Sequence, residues 1–416
     1  GTRVVSRRGW RAAGFTSPGE VSTRVVTEDQ HEEEHGGWYV RLITRRPWLT
    51  VLGVVALVGI IAFPALDLRL GLPGGGNEPA DSTAYRAYAA TAQAFGPGMN
   101  GPVIVVADLP GTPTQEQVSA TQAHLATSLA AVDGVEHVVP FGTSADHRTL
   151  AFQVVPSTGP AEAQTVSTVH ALLDGASSIG ASTGTTIGLT GQTVANIEIS
   201  ERLAAALPTY LLVVVGLSLL ILTAVFRSVV VPLVATAGFL LSVATAFGAT
   251  VMVYQWGWLG SIFGVHDPGP ILSFMPIMLI GVLFGLAMDY QMFLVSGMRE
   301  AWSHGEDART AVRSGFTHGA KVVTAAAVIM FAVFGGFVFS HLTMIRPMGF
   351  GLAVGVLTDA VLVRMTLTPA VMHLLGERAW YMPGWLDRLT PDLDVEGTSL
   401  SAMNDAQSRP LDPLPA

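Results

Sequence analysis

Gly285-Leu-Ala-Met-Asp289-Tyr290-Gln-Met-Phe293-Leu-Val-Ser-Gly-Met-Arg299-Glu300 sets a carboxylate and a phenol side by side inside an apolar run over 271–298. A run of that length crosses a bilayer, which needs about 20 apolar residues. Asp289 stands ten residues before Arg299, the first charge on that side. At about 1.5 Å per residue that is roughly 15 Å, half of a ~30 Å hydrocarbon core. A carboxylate at that depth is costly and is read first as an ion or proton site.

The whole chain agrees with a membrane setting. Half of its 416 residues are hydrophobic, only 13% are charged, and the mean hydropathy is +0.48. Those values fit a polytopic membrane protein with a soluble part better than a soluble enzyme. There is no cysteine, which excludes disulfides, thiolate metal sites and thiol nucleophiles. Between Asp67 and Arg202, twelve acidic residues stand against four arginines. A segment so acidic is a poor ligand for nucleic acid or anionic headgroups.

Reading outward from the central stretch gives six apolar runs, at 48–66, 207–226, 229–254, 271–298, 322–341 and 347–375. The spacing between the first two predicts a soluble α/β domain. Strands are expected at 103–107, 135–139, 150–155 and 186–190, with helices at 115–131 and 161–173. That β-α-β-β-α-β order is the split βαβ, or ferredoxin-like, arrangement. A further helix near 196–203 is expected to run straight into the membrane. The predicted organisation is a charged cytoplasmic linker over 1–46, a first transmembrane helix over 47–67 and an extracytoplasmic α/β domain over 68–206. A five-helix transmembrane bundle follows over 207–376, then a cytoplasmic, largely disordered tail over 377–416. With Arg45 and Arg46 in the cytoplasm, alternation puts Arg227, the 299–321 segment, Arg378 and Arg388 there as well.

Two weaker patterns lie in the leader. Ser6-Arg7-Arg8 resembles the start of a twin-arginine signal but lacks an apolar continuation. His31-Glu32-Glu33-Glu34-His35 matches H-E-x-x-H formally, yet its flanks are polar and no third ligand follows. Both read as parts of a solvated segment, and no metal site is expected. His124, His137, His147 and His170 are scattered and read as surface or packing residues.

A second aspartate accompanies the first. Gly281 and Gly285 precede Asp289 by eight and four residues, and Gly351 and Gly355 precede Asp359 by the same intervals. Four-residue steps keep each set on one helix face, so each carboxylate sits beside a small-residue seam suited to close packing. Arg364, five residues after Asp359, falls off that face of a regular helix, and bases are otherwise scarce. Asp289 is therefore read as a proton site, while for Asp359 a proton site and a structural role stand level. A carboxyl in an apolar surround exchanges protons near neutral pH, and Tyr290 is a fitting hydrogen-bonding relay partner. Ser296, Thr324 and Thr358 are further relay candidates, although such hydroxyls more often bond their own backbone.

These residues carry a family resemblance. The 285–300 stretch resembles the signature of the MMPL (mycobacterial membrane protein large) transporters of the resistance-nodulation-division superfamily. Gly355-Val-Leu-Thr358-Asp359-Ala-Val-Leu-Val-Arg364, Leu367-Thr-Pro-Ala370 and Trp385-Leu-Asp-Arg388 resemble its second signature. The likeness spans about residues 38–390 and is greatest to the C-terminal half of a member. It implies proton-motive-force-driven export of lipids or other hydrophobic compounds across an actinobacterial plasma membrane, with protons and no other cofactor. It also implies that the α/β domain is a porter domain and that Asp289 and Tyr290 form the relay pair, with Phe293 beside them and Asp359 nearby. Gln291 and Gly297 depart from the pattern, which usually has an acid and a base there; both lie toward the cytoplasmic end. A full member repeats this layout twice, so the implied partner is an N-terminal half or a second copy of this chain. Competing classes are an intramembrane aspartyl protease, disfavoured by the Asp-Tyr order and the Leu357-Thr358-Asp359 context, and a non-transporting sensor, disfavoured by an intact Asp289.

Overall fold

The computed structural model describes residues 39–303 and 305–388, with the side chains of Tyr290, Ser303 and His318 outside that description. The twin-arginine-like and H-E-x-x-H patterns and the expected disordered tail beyond 388 also fall outside the described residues.

Among the described residues six helices are long and apolar enough to cross a membrane, at the six expected places. The chain is a multi-pass membrane protein. The first span opens with α1 (Pro47–Ala62), which places Pro47 where its missing N–H would have had no partner. A short helix, α2 (Thr83–Phe95), precedes the α/β domain and is capped by the Ser82 hydroxyl, which accepts from Tyr85 N at 3.0 Å. None of its residues is fully buried, although Tyr88 packs against Gly75 and Gly76.

The α/β domain runs β1 (Val103–Asp108), α3 (Gln115–Ala130), β2 (Val135–Thr143), β3 (Thr149–Pro156), α4 (Ala163–Thr183) and β4 (Thr186–Thr190). The strands form one antiparallel sheet in the order β2-β3-β1-β4, with Val105 opposite Phe152 on one side and Leu189 on the other. This is the split βαβ topology that the order of elements predicts. Alternation on β1 buries Val103, Val105 and Ala107, which pack with Leu150, Phe152 and Val154 against Leu125 and Leu129 of α3 and Val169 and Leu172 of α4. A capping box starts α3, where Thr114 N donates to Gln117 Oε1 at 2.8 Å. Gly184, at φ 67°, ends α4 in the left-handed conformation that glycine accepts without strain.

α5 (Gln192–Phe226) is one continuous helix of 35 residues, with Pro208 near the boundary between its polar and apolar parts. Its first turns supply Val194 and Ile197 to the α/β core, and the remainder is a span. A rigid rod thus joins the two regions. Ser200 Oγ meets Ser273 Oγ at 2.7 Å, and Leu70–Gly71 pairs in parallel with Ile271–Leu272, fastening the same junction.

The bundle continues with α6 (Val230–Thr250), α7 (Met275–Ser303), α8 (Ala308–Val338), α9 (Ile345–Leu357) and α10 (Thr368–Leu375). Arg227 makes the tight turn into α6 at φ 45° and donates to Asp387 Oδ1 at 2.5 Å. The spans built on α6 and on α9–α10 are the inner ones, 56% and 61% buried against 17% for the first. Gly248 lets α6 touch the first span: a Cβ there would come within 2.8 Å of Ala62 Cα. Gly315 lets α7 and α8 cross closely: a Cβ there would come within 2.5 Å of Met298 Cα, whereas one on Gly297 would meet Gly315 O at an ordinary 3.4 Å.

Candidate functional site

Asp289 lies on an outward face of α7. That face carries Met278, Gly285 and Phe293, the last 59% exposed, at helical spacing. A Cβ on Gly285 would touch nothing within 4 Å, and one on Gly281 would meet only the Tyr210 hydroxyl at 2.9 Å. Asp289 makes no hydrogen bond or ion pair among the described residues. Among the described residues the seam beside it is open at Gly285.

Asp359 is the reverse case, only 5% exposed. Arg364, 3% exposed, donates from Nε to Asp359 Oδ2 at 2.5 Å. The expectation that Arg364 falls off the Asp359 face is wrong, and the backbone explains why. Five residues on an α-helix turn the chain about 140° past alignment. Here α9 gives way to a π-helix over Thr358–Leu367. Its i→i+5 bonding brings residue i+5 back over residue i, so Arg364 stands over Asp359.

The guanidinium also reaches across to α7. Nη1 donates to Gln291 Oε1 at 3.2 Å, and Nη2 donates to the Ala287 carbonyl. These two acceptors lie two residues either side of Asp289, on the opposite face of its helix. Arg364 therefore joins the buried acid to the helix turn that presents the exposed one. On the other side Ser242 Oγ of α6 lies 3.4 Å from Asp359 Oδ1 while also donating to Gly238 O at 3.1 Å. Since an arginine only donates, Gln291 must offer its oxygen to it, which leaves Nε2 buried without a partner among the described residues. Gly351 and Gly355 are filled from α7: Cβ atoms there would come within 2.7 Å of Leu279 and 2.6 Å of Leu283. The Asp359 seam admits leucine side chains, and no backbone packs into it.

Of the sequence candidates, Asp289, Gly285 and Phe293 share one open face, and Asp359, Thr358 and Gly355 share the buried seam. The Tyr290 side chain lies outside the described residues. Thr324 donates to its own backbone at Ala320 O, 2.7 Å away. Sequence reasoning missed Arg364, Gln291 and Ser242 as one network. The available signal was polarity within apolar spans, but the five-residue spacing hid the pairing. Among the described residues no three His, Asp or Glu gather as a metal site.

The MMPL family profile matches residues 77–391. This chain belongs to the MMPL family. It is 41% identical over 362 residues to the membrane protein YdfJ of Bacillus subtilis, a match covering 87% of this chain and 49% of YdfJ. It is 31% identical to the mycolic acid-containing lipids exporter MmpL11 of Mycolicibacterium smegmatis, over 85% of this chain and 37% of that protein. It is 36% identical to the trehalose monomycolate exporter MmpL3 of the same organism, over 49% of this chain and 20% of that protein. The similarity falls on the C-terminal half of the family layout. The chain spans about half or less of the length of these relatives. The family's members are transporters, not enzymes, and the two mycobacterial relatives named here are lipid exporters.

Proposed function

We propose that this chain is one half of a proton-motive-force-driven exporter of lipid or other hydrophobic substrate across the plasma membrane. Asp289 and Tyr290 supply half of a mid-membrane proton relay, and the α/β domain acts outside the membrane as the porter domain, with both ends of the described chain cytoplasmic. The observation that carries this reading is the open face of α7. A carboxylate halfway along a span, unpaired among the described residues and preceded by glycines at four-residue steps, is expensive against lipid and is suited to a facing helix. An acid–phenol pair from a second, similar half completes it. Asp359 takes part through Arg364: a change of charge on Asp359 alters how the guanidinium holds Ala287 and Gln291, and so the turn bearing Asp289. The lipid exporters among the relatives support the substrate class.

The test is reconstitution of the complete transporter in liposomes under an imposed pH gradient. Asp289→Asn is expected to abolish gradient-driven substrate movement, and equal movement in variant and wild type would sink the relay. The chain has no natural cysteine, so Gly285→Cys reports what covers the open face. A disulfide-linked pair of these chains in membranes would favour a homodimer over a distinct N-terminal half.

A further inference from the structure

Ser200 and Ser273 are buried, 6% and 0% exposed, and their hydroxyl oxygens lie 2.7 Å apart across 73 residues of chain. The direction of the bond follows from the proton count. Ser200 Oγ already donates to Asn196 O at 2.6 Å, and a serine has one proton to give. Ser273 is therefore the donor and Ser200 the acceptor. Apolar groups of similar shape in place of both partners would cost almost nothing, so the hydroxyls are not needed to fill the space. What they add is position, because a hydrogen bond is lost once its atoms slide to about 3.6 Å, whereas an apolar contact tolerates sliding.

Each serine stands at a mechanical boundary. Ser200 is one turn beyond Ile197, which with Val194 anchors α5 in the α/β core. Pro208 lies on the far side of Ser200, so no proline interrupts α5 between this bond and that core. Ser273 stands two residues before α7, and Asp289 is fourteen residues into that helix, roughly 21 Å along its axis. The backbone of the same segment is tied elsewhere. Ser273 N donates to Gly71 O at 3.0 Å and Ile271 N to Arg69 O at 2.8 Å, on the exit of the first span. Arg69 N in turn donates to Gln255 Oε1 at 2.9 Å, just beyond α6. Main-chain bonds thus hold the entry of α7 to the bundle, and a side-chain bond holds it to the helix that enters the α/β domain. At mid-length α7 is gripped again, by Arg364 through Ala287 O and Gln291 Oε1.

We infer that Ser273 and Ser200 form the hook through which α7 moves the α/β domain. When the helix bearing Asp289 shifts, Ser273 carries Ser200 with it, and the proline-free first turns of α5 pass the displacement to Val194 and Ile197. The outer ends of α5 and α7 stay together throughout. Both serines are positioning residues. The hook deepens the transport reading and rests on its assignment of Asp289 as the proton site.

The experiment is hydrogen–deuterium exchange of the purified full chain in phospholipid nanodiscs, with Asp289→Asn standing for the protonated acid. In the wild-type background Asp289→Asn should change exchange over residues 192–206 by about twofold to thirtyfold, the range for residues on a coupling path. With Ser273→Ala or Ser200→Ala that change should vanish, and the double alanine variant should behave as either single one, since one bond is lost. A merely structural role would raise exchange equally with and without Asp289→Asn. The chain has no natural cysteine, so Ser200→Cys combined with Ser273→Cys replaces the hook by a covalent bond. Its disulfide, read as a linked peptide pair, should form and should transmit the effect of Asp289→Asn, and it decides the matter if an alanine variant fails to fold. No response to Asp289→Asn, a response that survives the alanines, no disulfide, or a disulfide that blocks the response would each overturn the hook. Transport plays no part in this assay. Failure here leaves the relay to the liposome test, and normal transport by Asp289→Asn would remove the relay even where the exchange result holds.

Discussion

The two aspartates share a local sequence pattern and meet opposite fates. Gly351-x-x-x-Gly355-x-x-x-Asp359 faces inward, filled by Leu279 and Leu283 and closed by Arg364. Gly281-x-x-x-Gly285-x-x-x-Asp289 faces outward, with nothing among the described residues against Gly285. The same spacing makes a finished contact in one helix and an unfinished one in the other. A glycine seam therefore states that something can come close, and the surrounding helices decide whether it already has. The finished seam holds its acid in a fixed ion pair. The unfinished one leaves its acid available to a partner, which is what a relay between two halves requires.

Four measurements break or sharpen this contrast, the strongest first. Arg364→Met should destabilise the chain by about 3–5 kcal/mol, because it strands a buried carboxylate. Asp289→Asn should change stability in detergent by less than about 0.5 kcal/mol, as at other exposed positions. Denaturant unfolding of both variants checks the pair, and similar losses would mean that Asp289 is held as firmly as Asp359. Gln291→Met keeps the length of the side chain but removes the acceptor for Arg364, and should cost about 1.5–3 kcal/mol. Gln291→Glu restores an oxygen at that position, so its unfolding midpoint should lie nearer wild type. Gly355→Leu overpacks the closed seam by about 1–3 kcal/mol, seen as a lower midpoint. Gly285→Leu should leave that midpoint in place and instead reduce gradient-driven transport by the complete protein. Smallest of all, Thr324→Val should leave transport unchanged, since its hydroxyl serves its own helix.

Much of the architecture was legible because it depends on local patterns. Six apolar runs mark six spans, and the alternation at 103–107 with the β-α-β-β-α-β order predicts the antiparallel sheet that is observed. The entry of α5 into the membrane was legible too, but not its continuity, since the helix runs on through Pro208. α2 went unread although its apolar periodicity and the Ser82 cap stand in the sequence. Gln291 and Gly297 were visible only as departures from a motif. The first is an acceptor for Arg364, and the second lies against Gly315, the close point of two helices.

By itself the sequence determined that this is a membrane protein of six spans with an acid at mid-depth in two of them, because bilayer thickness and hydropathy act along the chain. It also determined the family, through two long motifs in order. Which acid is buried was a tertiary matter. So was the pairing of Asp359 with Arg364, which exists only because ten residues of the last span adopt i→i+5 bonding. A periodicity set by packing cannot be counted from residue spacing that assumes 3.6 per turn.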